Sequence, residues 1–479
     1  MFSKKQYTYI LTACLILTFQ ACKAPSVIEA KLNKTIPKTY ATGTVDTTNS
    51  ATMNWRTYFT DPYLQTLIDT ALNKNQELLI TFQEIQISRN EVRAKKGKYL
   101  PEVNIGAAGG INKVSRYTNI GALEKNVEIE PGKETPEPLQ DYLVGLDASW
   151  EVDIWKKLRN AKKAAVARYL SSIEGKNFIV TNLISEIARS YYELLALDNQ
   201  LNILDRNIAI QSNALNIVKI QKDAAKANEL AVRRFEAEVL KTKGLRYAIL
   251  QRITETENRI NFLAGRYPQH IERSSEKFVD AELINAKAGI PVQLLSNRPD
   301  IKQAELALKA AKLDVKSAKA AFYPSLRITG GVGVQAYNAV YLIKKPESLI
   351  FSLVGDLAAP LINRNEIKAK YLNANAKQQQ AIYSYEQTIL KAYNEVANQL
   401  SKINNLNNSY EIKTQQVGAL TESINISVKL FKSARADYME VLLTQRDAVE
   451  AKFEMVELKM QQMNAMVNIY QSLGGGWSQ

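Results

Sequence analysis

Few residues in this 479-residue chain could do chemistry. The thiols are Cys14 and Cys22, both close to the N-terminus, and the imidazole is His270, after Pro268. With both cysteines at one end, none is left to build a disulfide framework or a metal cluster in the body of the chain. A lone histidine cannot form a pair of imidazole ligands, and His270 reads as a loop surface residue. No phosphate-binding loop is present. No catalytic residue and no metal ligand is assigned, and an enzyme is not expected. The 62 basic and 48 acidic residues give a net charge of +14. No zinc-finger, RRM or helix-turn-helix signature accompanies that charge. Lys and Arg are spread among Asp and Glu along helical stretches, so they read as solvated faces and not as a nucleic-acid surface.

Cys22 has a chemical role to offer. Lys4 and Lys5 precede an apolar core, Tyr9 to Phe19, which is too short to span a bilayer as a helix. Phe19-Gln20-Ala21-Cys22 follows. A small residue directly before a cysteine, after such a core, resembles a bacterial lipoprotein signal. The resemblance implies removal of residues 1–21 and acylation of Cys22, a covalent lipid with no other cofactor. Loss of Lys4 and Lys5 makes the mature charge 14 − 2 = +12. Acyl chains contribute roughly 0.8 kcal/mol per buried CH₂, so more than one is needed for a firm anchor. Lys23, where Asp would stand in a retained lipoprotein, implies transfer to the outer membrane. An ordinary export signal with a stray cysteine is the alternative.

The elements that follow are long. Residues 22–61 read as an extended arm. Asp61 and Pro62 are an N-cap and first-turn pair, and they predict a helix from Pro62 to Lys98. Pro101 ends it. A strand with Val103, Ile105 and Ala107 on one face follows, then a long polar loop over residues 112–140. The stretch from Gln140 to Arg159 alternates strictly: Tyr142, Val144, Leu146, Ala148, Trp150 and Val152 against Gly145, Asp147, Ser149, Glu151 and Asp153. That period predicts a strand with one apolar and one small-polar face, paired with the first as a hairpin over 102–153. Its length suits a transmembrane barrel wall or the edge of a soluble sheet. From Ile154 to Ile220 the pattern is helical without a proline, a reach of about 90–100 Å. A turn from Lys222 to Asn228 leads into a second long helix ending at Ala264. Residues 265–298 are a connector.

The plan then repeats over residues 299–473, with a hairpin over 325–358, a long helix, a turn from Ser433 to Asp437, a last long helix and a tail, 474–479. Glu229-Leu230-Ala231-Val232 falls on Tyr438-Met439-Glu440-Val441 at a spacing of 209. A duplication of this extent defines the architecture. Four strands cannot close a barrel, and open strand edges cannot face lipid, so membrane-spanning strands require an oligomer.

Several segments resemble a known family. They are Trp55-Arg56-Thr57-Tyr58-Phe59 with Asp61-Pro62, Trp150-Glu151-Val152-Asp153-Ile154-Trp155, Asn297-Arg298-Pro299-Asp300, Phe322-Tyr323-Pro324-Ser325, Tyr438-Met439-Glu440-Val441-Leu442 and Leu473-Gly474-Gly475-Gly476-Trp477. In this order they are similar to the TolC-like outer-membrane factors, in the lipoprotein branch that serves RND efflux pumps. The resemblance implies a mostly α fold with a small transmembrane β part. Three protomers would form a long α-helical barrel and a twelve-stranded β-barrel in the outer membrane, extending into the periplasm. It implies a passive export duct with two protein partners, a periplasmic adaptor and an inner-membrane RND antiporter. It also assigns roles. Glu440 falls where an acid lines the family's periplasmic constriction. Leu443 stands where a second acid often follows, implying a mixed carboxylate and apolar ring. The tips Lys226, Ala227, Asn228, Arg435, Ala436 and Asp437 would meet the adaptor. Arg298-Pro299-Asp300 reads as structural, with Pro299 and Asp300 suited to a helix N-terminus. Two other readings stay open: the duct of a type I protein secretion system, and a pore-less periplasmic coiled-coil lipoprotein.

Overall fold

The computed structural model describes residues 25, 36–40, 47–283, 287–360, 362, 364–433 and 435–477. The signal segment 1–21 and Cys22 lie outside the described residues. The elements follow the duplicated plan. The first half holds α1 (Pro62–Lys74), α2 (Gln76–Gly97), β1 (Glu102–Asn112), α3 (Asn119–Asn126), β2 (Glu128–Glu130), β3 (Lys133–Glu134), β4 (Leu139–Val152), α4 (Lys157–Asp223) and α5 (Glu229–Leu263). The second holds α6 (Pro299–Ala320), β5 (Ser325–Ala336), β6 (Leu349–Ala358), α7 (Asn365–Lys432) and α8 (Tyr438–Ser472). Equivalent helices match in length: α2 and α6 have 22 residues each, α5 and α8 have 35, and α4 and α7 have 67 and 68.

Three local expectations are corrected. The helix expected from Pro62 to Lys98 is broken at Asn75. The Asn75 side chain caps Leu78 N–H at 3.0 Å and donates to the Leu263 carbonyl at 2.9 Å. An asparagine side chain competes for backbone partners, and here it ends one helix and starts the next. The polar loop over 112–140 carries structure of its own, α3 and the β2–β3 ribbon. The long helix begins at Lys157, not Ile154. Asp153 accepts hydrogen bonds from the Leu158 and Arg159 backbone N–H groups, and Lys156 takes the left-handed conformation at φ 62°.

Contacts group the chain into two units. One joins Gln86–Leu170 with Leu306–Tyr383 and contains the sheet. Its strand order is β1-β4-β5-β6, antiparallel throughout, so the two hairpins meet through β4 and β5. The other joins Leu32–Ile85, Ser171–Glu305 and Ser384–Gln479. Its core gathers Trp55, Tyr58, Phe59, Leu64, Ile184, Tyr191 and Tyr470. Tyr58 and Tyr470 stack at 4.1 Å, and their hydroxyls donate to the Met466 and Met53 carbonyls. Each fully buried side chain of this kind contributes roughly 1.5–3 kcal/mol.

The segments at residues 297–300 and 473–477 close on each other in this second unit. The Arg298 guanidinium is buried and forks onto both Asp300 oxygens at 3.0 and 2.7 Å. It also donates to Glu395 and to the Ser472 carbonyl, each at 2.7 Å. Burial opposes its charge, but Asp300 and Glu395 outweigh that and raise its pKa. Trp477 Nε1 donates to the Asn297 carbonyl at 3.1 Å. Gly474, at φ 89°, lies so close that a Cβ would stand 2.6 Å from that same carbonyl oxygen. The structural reading of Arg298-Pro299-Asp300 agrees with this geometry.

Candidate functional site

The sheet is built with two chemically distinct faces. Directly paired residues share a face, so the register carries one apolar set across all four strands. Val103, Ile105 and Ala107 on β1 pair with Ala148, Leu146 and Val144 on β4. Those pair with Gly330, Val332 and Val334 on β5, and these with Leu353, Phe351 and Leu349 on β6. The set is open to its surroundings: Ile105 is 79% exposed, Phe351 82% and Leu353 80%. An exposed contiguous apolar surface of this size marks a contact with lipid or protein. On β5 it runs from Leu326 to Val334, about 27 Å along the strand and roughly 20 Å high at a barrel tilt, close to the ~25 Å band of outer-membrane barrels.

Aromatic residues stand at both ends of this band. At the helical end, Trp155 stacks on Tyr323 at 4.8 Å and donates to the Pro324 carbonyl. Trp150 Nε1 donates to the Tyr99 carbonyl at 3.1 Å. At the loop end, Tyr337 packs against Tyr341 at 5.3 Å. Rings with one wet and one apolar end suit the two membrane interfaces. Above the loop end, Glu130 accepts from Lys133 and from the Tyr337 hydroxyl. Lys133 first, then Tyr341 and Tyr337, draw its carboxyl down to about 2. This cluster ties the loops of the two hairpins together.

The opposite face collects the strand carboxylates, among the apolar Leu143, Ile350 and Val354. It carries Glu102, Asp141, Asp147, Glu151 and Asp356 against a single strand cation, Arg327. Arg327 lies between Glu151 and Asp356 in register. Asp147 accepts from Asn104 at 3.2 Å, and Asp141 from Gln335 at 2.8 and 3.0 Å. A groove of about 360 Å³ opens here beside Asp147, floored by Gly106, Gly145 and Gly331. Among the described residues, the outer edges of β1 and β6 pair with no other strand. Their free N–H and C=O groups are a template for another chain.

The second unit brings the two helical turns together. At the first, Ala225 is left-handed at φ 57°, and Lys226 N–H donates to the Gln221 carbonyl at 2.7 Å. Asn228 caps α5 through the Ala231 N–H. Lys226 and Asn228 are exposed, and Ala227, Tyr438 and Leu442 all pack against a buried cluster of Val218, Ala231, Val232 and Phe235. At the second, Arg435 N–H donates to the Leu430 carbonyl, and Asp437 opens α8. Arg435 and Asp437 are exposed, and Ala436 is half-buried. The rings of Phe235 and Tyr438 lie 6.3 Å apart. Val441 and Gln445 are buried, while Glu440 and Leu443 share an exposed face of α8. The carboxylates of the polar sheet face went unassigned in sequence reading, although the alternation that reveals them was visible there.

A family model described as "Outer membrane efflux protein" matches residues 67–266 and 290–475. The chain is 25% identical over 431 residues to the cation efflux system protein CusC of Escherichia coli O6:H1, covering 90% of each chain. It is 25% identical over 472 residues to the probable outer membrane lipoprotein SilC of Salmonella typhimurium, covering 98% of this chain and 97% of that one. Among solved structures it superposes on the open state of the MtrE outer membrane channel of Neisseria gonorrhoeae with a TM-score of 0.82 at 24% identity, covering 95% of this chain and 98% of the other.

Proposed function

This chain belongs to the outer membrane efflux protein family, and on that premise we propose that three copies close into one duct that favours cations. The protein is an outer-membrane efflux channel with the TolC-like fold. One observation carries the proposal: an open four-stranded sheet with an apolar face, an acidic face and two free edges. Lipid cannot satisfy free strand edges, so β6 of one copy pairs with β1 of the next. Three copies give twelve strands, with the apolar faces toward lipid and the carboxylates around the lumen. Carboxylate rings select cations. The name of CusC, a cation efflux protein, agrees with that preference.

The remaining roles follow the same frame. The tips at Lys226–Asn228 and Arg435–Asp437 receive a periplasmic adaptor, which joins the duct to an inner-membrane RND antiporter. Glu440 and Leu443 line the periplasmic constriction, and Cys22 carries the acyl chains. Energy comes from the partner pump. The experiment is a planar-bilayer recording across a salt gradient. Cation-selective conductance is expected, reduced in Asp147→Asn and with a higher open probability in Glu440→Ala. An anion-selective pore, or no conductance in either form, overturns the reading.

A further inference from the structure

A cavity of about 600 Å³ lies within the second unit, between α4, the connector around Val279, α7 and α8. That volume suits a small organic molecule. None of its lining residues belongs to the acidic sheet face or to the helix tips. Gln445 lines it. This side chain is 4% exposed, and its Oε1 has no hydrogen-bond partner among the described residues. A buried acceptor without a donor is costly, so a ligand that brings a donor gains by filling it. Ile203 and Val449 supply apolar wall, and Ala448 lines it with a small side chain.

The charges narrow the ligand. Lys452, half-buried, and Arg206, exposed, line the cavity, and neither is ion-paired among the described residues, so Lys452 is the cation held inside it. Of the two lining carboxylates, Asp198 is already held by both arms of Arg273, at 2.6 and 2.9 Å, and Glu276 is exposed. Lys452 stands seven residues beyond Gln445 on the same face of α8, which is about 10 Å along the axis. An anionic head at Lys452 and a hydroxyl at Gln445 are therefore spaced for a medium-length alkyl chain. We propose that this cavity is a binding site for an amphipathic carboxylate bearing a distal hydroxyl.

The test uses the full-length protein in lipid nanodiscs and a diazirine-bearing analogue of 10-hydroxydecanoate, with photolabelled residues mapped by mass spectrometry. Saturable labelling at Ile203 and Val449 is expected. Unlabelled 10-hydroxydecanoate should compete for it about tenfold better than decanoate, the difference one buried hydrogen bond makes. Gln445→Leu should erase that preference, and Ala448→Trp should remove the labelling by filling the space. Hydrogen exchange of each variant identifies a misfolded protein, and the competition in wild type decides the matter without any variant. Labelling confined to the lipid-facing strands, or equal competition by the two acids, overturns the proposal.

Discussion

Replacing Arg298 with methionine tests whether the 297–300 and 473–477 segments are locked by charge. Methionine keeps most of the volume, so the loss is electrostatic. The wild-type guanidinium is 5% exposed and its main partner Asp300 16% exposed, while Glu395 is 35% exposed and partly solvated. Removing one partner of a buried pair costs roughly 3–5 kcal/mol. Because water covers part of Glu395, the lower end applies, about 3 kcal/mol. That corresponds to ~10²-fold faster local opening. The assay is amide hydrogen exchange, read on peptides covering residues 294–305 and 468–477. Arg298→Met should accelerate both, and the double variant Arg298→Met, Asp300→Asn should recover part of the loss, because it removes both charges of the fork. Acceleration below about threefold, or equal acceleration throughout the protein, would refute the lock.

Other predictions follow from single contacts. Burial raises the Asp153 carboxyl pKa, but hydrogen bonds from Arg159 and Leu158 outweigh this and hold it below its usual value. Its stabilising cap on α4 is therefore complete above the unfolded carboxyl value, near pH 4, and fades as pH falls through the lower folded value. Asp153→Ala should cost about 0.5–2 kcal/mol at neutral pH and flatten the acid dependence of exchange at residues 157–161. Gly474→Ala should destabilise the C-terminal segment by about 2 kcal/mol or more, since φ 89° is strained for alanine and its Cβ meets the Asn297 oxygen. A thermal shift below 1 °C would argue against that. Cells fed an alkyne palmitate analogue should label the wild-type chain, and Cys22→Ala should abolish the label. Persistent labelling would remove Cys22 as the acylation site.

Much of this was legible because period-2 and helical patterns are strong in long elements. The alternation from Tyr142 to Val152 is observed as a strand face, and the repeat places Glu229 and Tyr438 alike at the first position of equal helices. What escaped reading depends on side chains meeting across the chain. Asn75 breaks a helix because its amide finds Leu263, 188 residues away. Arg298 looked like a helix-start motif, and its partners Glu395 and Ser472 come from distant segments. The helical pattern extends back to Ile154, but α4 starts at Lys157 because Asp153, at a polar strand position, turns to cap the helix. The pairing of β4 with β5, which joins the two repeats, has no local signal at all.

The central claim is that three chains close one barrel through their free strand edges. Electron microscopy of the detergent-extracted protein tests it most directly. A three-fold particle with a continuous twelve-stranded wall and β6 of each copy beside β1 of the next is the predicted result. A monomer with an open sheet, or a particle of any other symmetry, would contradict it.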